Sequence, residues 1–215
     1  MLGHPVGHSL SPRIQNAAFA ALALDWAYVA LDVPPGRLEE ALRGLAAAGF
    51  AGANVTAPHK LAVVKLVETA APSVNTLVFR DGRIEGTSTD AAILEGLEPE
   101  RPVVLGDGGA ARAFLHALPH ARSFARRGEW PPDVGDADLV VNATAERDEV
   151  LAELRAGQTL VDLPYPDSAT AGAAREAGAH VLDGLDVLVA QGAASFNCWT
   201  GMPAPVETMR AAVGR

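Results

Sequence analysis

The sequence predicts an α/β fold in two domains, each built on a mostly parallel sheet. Three observations carry that prediction. Short apolar runs alternate with helix-length amphipathic segments, and a glycine-rich turn follows one of those runs. A Pro- and Glu-rich stretch, Glu98-Pro99-Glu100-Arg101-Pro102, divides two blocks with the same alternation. The expected boundaries are residues 1–97 and 98–197, with the helical segment 198–215 returning to the first domain.

Each element follows from its local pattern. Residues 26–33 read as a strand; Pro34-Pro35-Gly36 then leads into an amphipathic helix over 38–48 that Gly49 ends. A strand over 50–55, a helix over 60–68 and a strand over 74–80 come next. Asp81-Gly82 is a hairpin turn, and residues 90–97 are expected to be helical. Past the linker, strand 102–105 runs into Gly106-Asp-Gly-Gly109 and a helix over 110–118. Further strands are expected at 121–125, 138–143, 159–163 and 180–182. Helices should fill the intervals, except for a Gly/Pro-containing connection between Arg127 and Asp138. The last helix should span 203–213.

Composition narrows the function. Hydrophobic residues make up 49% of the 215, enough for a substantial core, and the formal net charge is −9. That balance opposes binding to nucleic acid or an anionic membrane, and any anionic ligand must find local cations. The single cysteine, Cys198, fits a reducing compartment. No apolar run approaches the roughly 18–20 residues that span a bilayer, and residues 1–10 lack a signal-peptide core. These readings predict a soluble, cytoplasmic protein and leave open whether it is a monomer or homodimer. The pairs His4/His8 and His116/His120 have no acidic or cysteine companions, so no metal site is expected.

Two features carry chemistry. Lys60 and Lys65 are the only lysines in a chain that otherwise uses arginine, and Lys60 closes the segment Asn54-Val-Thr-Ala-Pro-His-Lys60. It falls between a strand and a predicted helix, where a side chain can project into a cleft. The second feature is Val103-Val-Leu-Gly106-Asp-Gly-Gly109-Ala-Ala111, which matches the G-x-G-x-x-[GA] dinucleotide fingerprint. Its glycines admit a pyrophosphate, and the helix start offers free N–H groups. Arg126 and Arg127 follow where an acidic residue would select NAD, so they favour the 2′-phosphate of NADP. Asp107 would repel a pyrophosphate and is expected either to weaken cofactor affinity or to cap the helix.

Taken in order, the motifs resemble those of the shikimate dehydrogenase family almost end to end. They are Gly3-His-Pro-Val-Gly-His-Ser9-Leu-Ser11-Pro12, Asn54-Val-Thr56-Ala-Pro-His-Lys60, Val74-Asn75-Thr76, Ser88-Thr89-Asp90, the glycine turn and Asn142-Ala-Thr144. Asp162-Leu-Pro-Tyr165, Gly184-Leu-Asp-Val-Leu-Val-Ala-Gln191 and Trp199-Thr200-Gly201 complete the series. The resemblance implies an N-terminal substrate domain and a Rossmann-like NADP domain. It implies NADP-dependent, reversible reduction of 3-dehydroshikimate to shikimate, toward aromatic amino acids. Lys60 and Asp90 would be the catalytic pair, and Ser9, Ser11 and Tyr165 would meet the substrate carboxylate. Asn54, Thr56, Asn75 and Gln191 would bind ring hydroxyls. Gly106, Gly108, Gly109, Ala110, Arg126, Arg127, Asn142, Ala143, Thr144 and Gly184 would hold the cofactor.

The chain also departs from that pattern. Only Met1 and Leu2 precede Gly3 where a first strand is expected, which predicts an exposed sheet edge or missing N-terminal residues. The stretch from Lys60 to Asn75 is short, Pro72-Ser73 replaces Gly-Ala, Ser88 replaces Asn, and Gln15 replaces a frequent His. Ala145 stands for Pro and Val187 for Met. Two rivals follow: a dehydrogenase that also accepts quinate or an amino analogue, and a feebly active NADP-binding regulatory paralogue.

Overall fold

The computed structural model describes all 215 residues. It divides into two compact units, Met1–Asp90 with Val189–Arg215, and Ala91–Leu188. The sequence placed these boundaries at 97/98 and 197/198. They fall earlier because Ala91, Ile93 and Leu94 pack into the core of the second unit, while Phe196 packs on Phe19 of the first.

In the first unit, β1 (Leu2–Gly3) pairs in parallel with β2 (Leu31–Asp32), and Leu2 also bridges Val55. The opening strand is thus present in a two-residue form. β3 (Gly52–Asn54), β4 (Thr76–Arg80) and β5 (Arg83–Thr87) form an antiparallel sheet; the β4–β5 hairpin is the one expected at Asp81-Gly82, while antiparallel pairing of β3 with β4 departs from the mostly parallel sheet expected. Asp81 and Gly82 both take positive φ, 52° and 75°, the twist a two-residue hairpin needs. No long helix links β3 to β4. In place of the helix expected over 60–68 there is one 3₁₀ turn, Val63–Leu66, which ends as Val67 becomes extended. Glu68 then bridges Glu85.

Helices α1 (Ser11–Ala21) and α2 (Leu38–Ala47) belong to this unit, and α2 buries Leu38, Leu42 and Leu45 against Leu2, Val55, Val63 and Leu77. These three leucines recur at helical spacing, which is why the amphipathic pattern identified the helix.

The second unit carries five parallel strands: β6 (Pro102–Leu105), β7 (Arg122–Phe124), β8 (Leu139–Asn142), β9 (Thr159–Asp162) and β10 (His180–Leu182). Their spatial order is β10-β9-β8-β6-β7. The direction of winding reverses at β6, so a crevice opens beyond the carboxyl ends of β6 and β8. Alternate residues feed two cores. Val104, Val141 and Val161 pack with Ala111 and Phe114 of α3 (Gly109–Ala117); Val103, Leu105, Val140 and Leu160 pack on the opposite face.

That opposite face departs from expectation. One helix, α4 (Ala169–Glu176), lies there, and the link from β8 to β9 lacks the predicted helix. Val134, Ala137, Leu151, Ala152 and Leu154, from irregular segments, cover the strands instead. Buried loops must find partners for their backbone. Gln158 supplies several: its Nε2 donates to Val134 O and Ala137 O at 2.8 and 2.7 Å, and its Oε1 accepts from Arg155 N at 2.8 Å.

The chain leaves the second unit within α5 (Gly184–Thr200), and α6 (Val206–Ala212) packs on α1. The last helix is shorter than the expected 203–213, since Pro205 caps it.

Candidate functional site

Lys60 rides on a turn fixed from both sides. Its neighbour His59 is buried and bonds Val33 O through Nε2 at 2.7 Å, and Val74 N donates to Lys60 O at 3.1 Å. From that turn Lys60 Nζ reaches both oxygens of Asp90 at 2.6 Å. The side chains are 16% and 8% exposed, so the pair is largely shielded from solvent. Short contacts of this kind are charge-assisted and strong.

Asn75 locks the carboxylate in place. Its Nδ2 lies 2.9 Å from Asp90 Oδ1 and 3.0 Å from Thr89 Oγ1, and its Oδ1 accepts Thr89 N at 2.7 Å. Gln191 Oε1 stands 3.4 Å from the same Nδ2. Behind this layer, Asn54 Nδ2 contacts Asn75 O, Thr76 Oγ1 and Ser195 Oγ, while Tyr28 donates its hydroxyl proton to Asn54 Oδ1 at 2.6 Å. Both side-chain polar atoms of Asn54 are therefore engaged inside the protein, unlike a group free to meet a ligand.

Tyr28, Thr76, Thr89 and Ser195 were not singled out from sequence. Thr76 and Thr89 sit inside motifs already noted. Ser195 lies one helical turn after Gln191, the i,i+4 spacing that puts both on one face.

Ser9 and Ser11 meet at the start of α1, Oγ to Oγ 3.2 Å, and Ser11 N donates to Ser9 Oγ at 3.2 Å. The first turn has few N–H groups to spare, since Pro12 has none and Arg13 N and Ile14 N donate to Leu10 O at 3.0 and 3.2 Å, so the two hydroxyls are what this helix start offers an anion. Thr56 is half-buried beside Gly3, where an added Cβ would approach Thr56 Cγ2 to 2.3 Å. Gln15, at the position where the pattern favours His, is fully buried and donates Nε2 to Gly192 O at 2.8 Å. Tyr165 is half-buried after β9 in the second unit.

The second unit has a pocket of about 220 Å³ lined by Gly106, Asp107, Arg126, Arg127, Trp130 and Thr144, among others. Gly106 has φ +116°, a conformation reserved for glycine, and lies against Ala143 O. Gly108 caps α3 without a side-chain bond, so Asp107 does not cap the helix; it stands exposed at the pocket wall. Gly109 and Ala110 open α3, offering N–H groups at the end of β6.

Asn142 at the end of β8 donates to Asp162 Oδ1 at 2.7 Å and accepts from Thr144 N and Oγ1, which shapes the turn through Ala143. Burial pushes the Asp162 carboxyl above its ordinary value, against the opposing bonds from Asn142 and Ser168. Gly184 opens α5 so close to Pro164 that a Cβ would lie 2.2 Å from Pro164 O. Glycine turn, helix N-terminus and two arginines at one pocket make a donor set that fits a phosphorylated dinucleotide.

Comparison with known proteins gives the same direction. Residues 1–77 match the family model of the shikimate dehydrogenase substrate binding domain, and 184–213 that of the shikimate 5′-dehydrogenase C-terminal domain. A shikimate dehydrogenase (NADP(+)) of Anaeromyxobacter sp. (strain Fw109-5) is 41% identical over 262 residues, covering 99% of this chain and 94% of its own. The crystal structure of shikimate dehydrogenase from Aquifex aeolicus matches with a TM-score of 0.89 at 29% identity, covering 100% and 96%. That of shikimate 5-dehydrogenase from Thermus thermophilus, in complex with NADP(H) and shikimate, matches at 0.86 and 30%, covering 98% and 96%.

Proposed function

This chain belongs to the shikimate dehydrogenase family, and from that premise we propose that Lys60 and Asp90 catalyse its NADP-dependent, reversible reduction of 3-dehydroshikimate to shikimate. The observation that carries the assignment is the ammonium–carboxylate pair held at 2.6 Å inside a buried hydrogen-bond network.

Reducing a ketone leaves charge on oxygen, and a proton must follow. Bound NADP(H) supplies or accepts the hydride. Lys60 Nζ, aimed by both Asp90 oxygens, stabilises the alkoxide and gives its proton to it. Asp90 orients the ammonium and keeps a counter-charge beside it. In the oxidative direction Lys60 accepts the proton back.

Asn75, Gln191 and Thr56 suit ring hydroxyls because amide and hydroxyl groups both donate and accept. Asn54 supports them from behind, its own groups being spent on Tyr28, Thr76, Ser195 and Asn75 O. The hydroxyls of Ser9 and Ser11 suit the substrate carboxylate, and the family resemblance assigns Tyr165 to the same group. The glycine turn, Asn142–Thr144 and Gly184 would hold the dinucleotide, with Arg126 and Arg127 on its 2′-phosphate.

The test is the near-ultraviolet absorbance of reduced nicotinamide in mixtures of protein with shikimate and NADP⁺, repeated with quinate and with NAD⁺. Turnover with shikimate and NADP⁺ well above the other combinations is expected. Equal rates with quinate would instead favour relaxed specificity, and NADPH binding without turnover would favour a regulatory paralogue.

A further inference from the structure

Arg126 and Arg127 line the same pocket but are not equivalent. Arg126 Nη2 is ion-paired with Glu149 Oε2, and its guanidinium lies 5.7 Å from the centre of the Trp130 ring. Arg127 is exposed and has no carboxylate partner.

Three carboxylates surround these arginines, and they too differ. Asp107 stands exposed at the wall. Glu146 lines the pocket, but its Oε1 accepts the N–H groups of Arg147 and Asp148, both at 2.9 Å. The charge of Arg126 reaches Glu146 as well, but Glu149 alone makes an ion pair with an arginine here. Its backbone is anchored as well: Thr170, fully buried, donates Oγ1 to Glu149 O at 3.3 Å and accepts Leu151 N at 3.0 Å. Ala169 N donates to Arg147 O at 2.7 Å. The carboxylate is thus presented to Arg126 from a fixed segment.

We propose that Glu149 sets cofactor specificity as an internal counter-ion of Arg126, one that a ribose 2′-phosphate must displace. The inference rests on the reading of this pocket as an NADP site. An exposed ion pair is weak, so a phosphate can displace it. The displaced carboxylate still stands near that phosphate and repels it. A nucleotide without the 2′-phosphate leaves the pair intact and feels neither effect. Trp130 keeps the guanidinium at the pocket once the carboxylate lets go. Glu149 therefore narrows the preference for NADPH over NADH.

The test is equilibrium binding of NADPH and NADH, by calorimetry, to wild type, Glu149→Gln, Arg126→Gln and the double variant. Glu149→Gln should bind NADPH about three- to tenfold more tightly, with NADH within about twofold of wild type and the gain shrinking in high salt. In the Arg126→Gln background, adding Glu149→Gln should give a smaller gain, because the partner it releases is gone. An unchanged or weakened NADPH affinity in Glu149→Gln, with wild type binding NADPH normally, overturns the inference and leaves the cofactor reading intact. If no form binds either nucleotide, both fall together.

Discussion

In the first unit Lys60, Asp90, Asn75 and Asn54 lie beneath the surface and spend most of their polar atoms on one another. In the second unit Asp107, Arg126 and Arg127 stand exposed around a turn whose ligand-facing groups are largely backbone. The difference follows the two kinds of ligand. A small ring with several hydroxyls is told apart by a rigid set of donors and acceptors, and a misplaced group leaves buried partners unpaired. A dinucleotide phosphate is recognised by helix N–H groups and charge, which tolerate solvent. Changes in the first site should therefore be costly and affect turnover or folding, while changes in the second should be milder and appear in nucleotide affinity.

The sharpest way to break that contrast is Lys60→Ala. Turnover should fall by about 10²–10⁴-fold with NADPH affinity nearly unchanged; steady-state kinetics beside a nucleotide titration would show it. Asn75→Ala comes next. It strips Thr89 N–H of its acceptor and Asp90 of a donor, so unfolding in urea should show a loss of about 1–3 kcal/mol. Wild-type stability in that variant would mean the network is not cooperative.

On the other side of the comparison, Arg127→Gln should weaken NADPH about tenfold, through loss of a charge-assisted contact, and leave NADH alone. Asp162→Asn tests the scaffold under Asn142. Burial raises the folded-state pKa of Asp162, so its contribution is full below the ordinary carboxylate range and is lost as pH rises through the raised value. The stability of wild type minus that of Asp162→Asn should therefore decline with rising pH above about 4 and then level off. A difference that stays flat or climbs contradicts this. The smallest effect belongs to Asp107→Ala, which should tighten NADPH by about twofold by removing repulsion from an exposed position.

Much of this was legible in the sequence. Periodicity located α2, and the glycine fingerprint located the β6–α3 turn, because both patterns arise from local geometry. The ordered motifs put Lys60, Asp90, Asn75 and Gln191 on the list that the structure gathers into one network. What escaped depended on distant partners. The helix expected over 60–68 gave way to a 3₁₀ turn, since Val67 and Glu68 are drawn toward β5. The absence of a helix after β8 hinges on Gln158 satisfying buried loop carbonyls, which no local window reveals. Antiparallel pairing of β3 with β4 required knowing that their link is not a crossover. Asn54 fits its motif, yet only the positions of Tyr28, Thr76 and Ser195 show that it faces inward.

The central claim is that the Lys60 ammonium itself moves the proton, and chemical rescue of Lys60→Ala tests it most directly. Shikimate oxidation by NADP⁺ would be followed while a small primary amine is titrated in. The account predicts a deeply impaired variant whose rate climbs with amine concentration, while wild type barely responds. Near-normal turnover of the variant without any amine would contradict it.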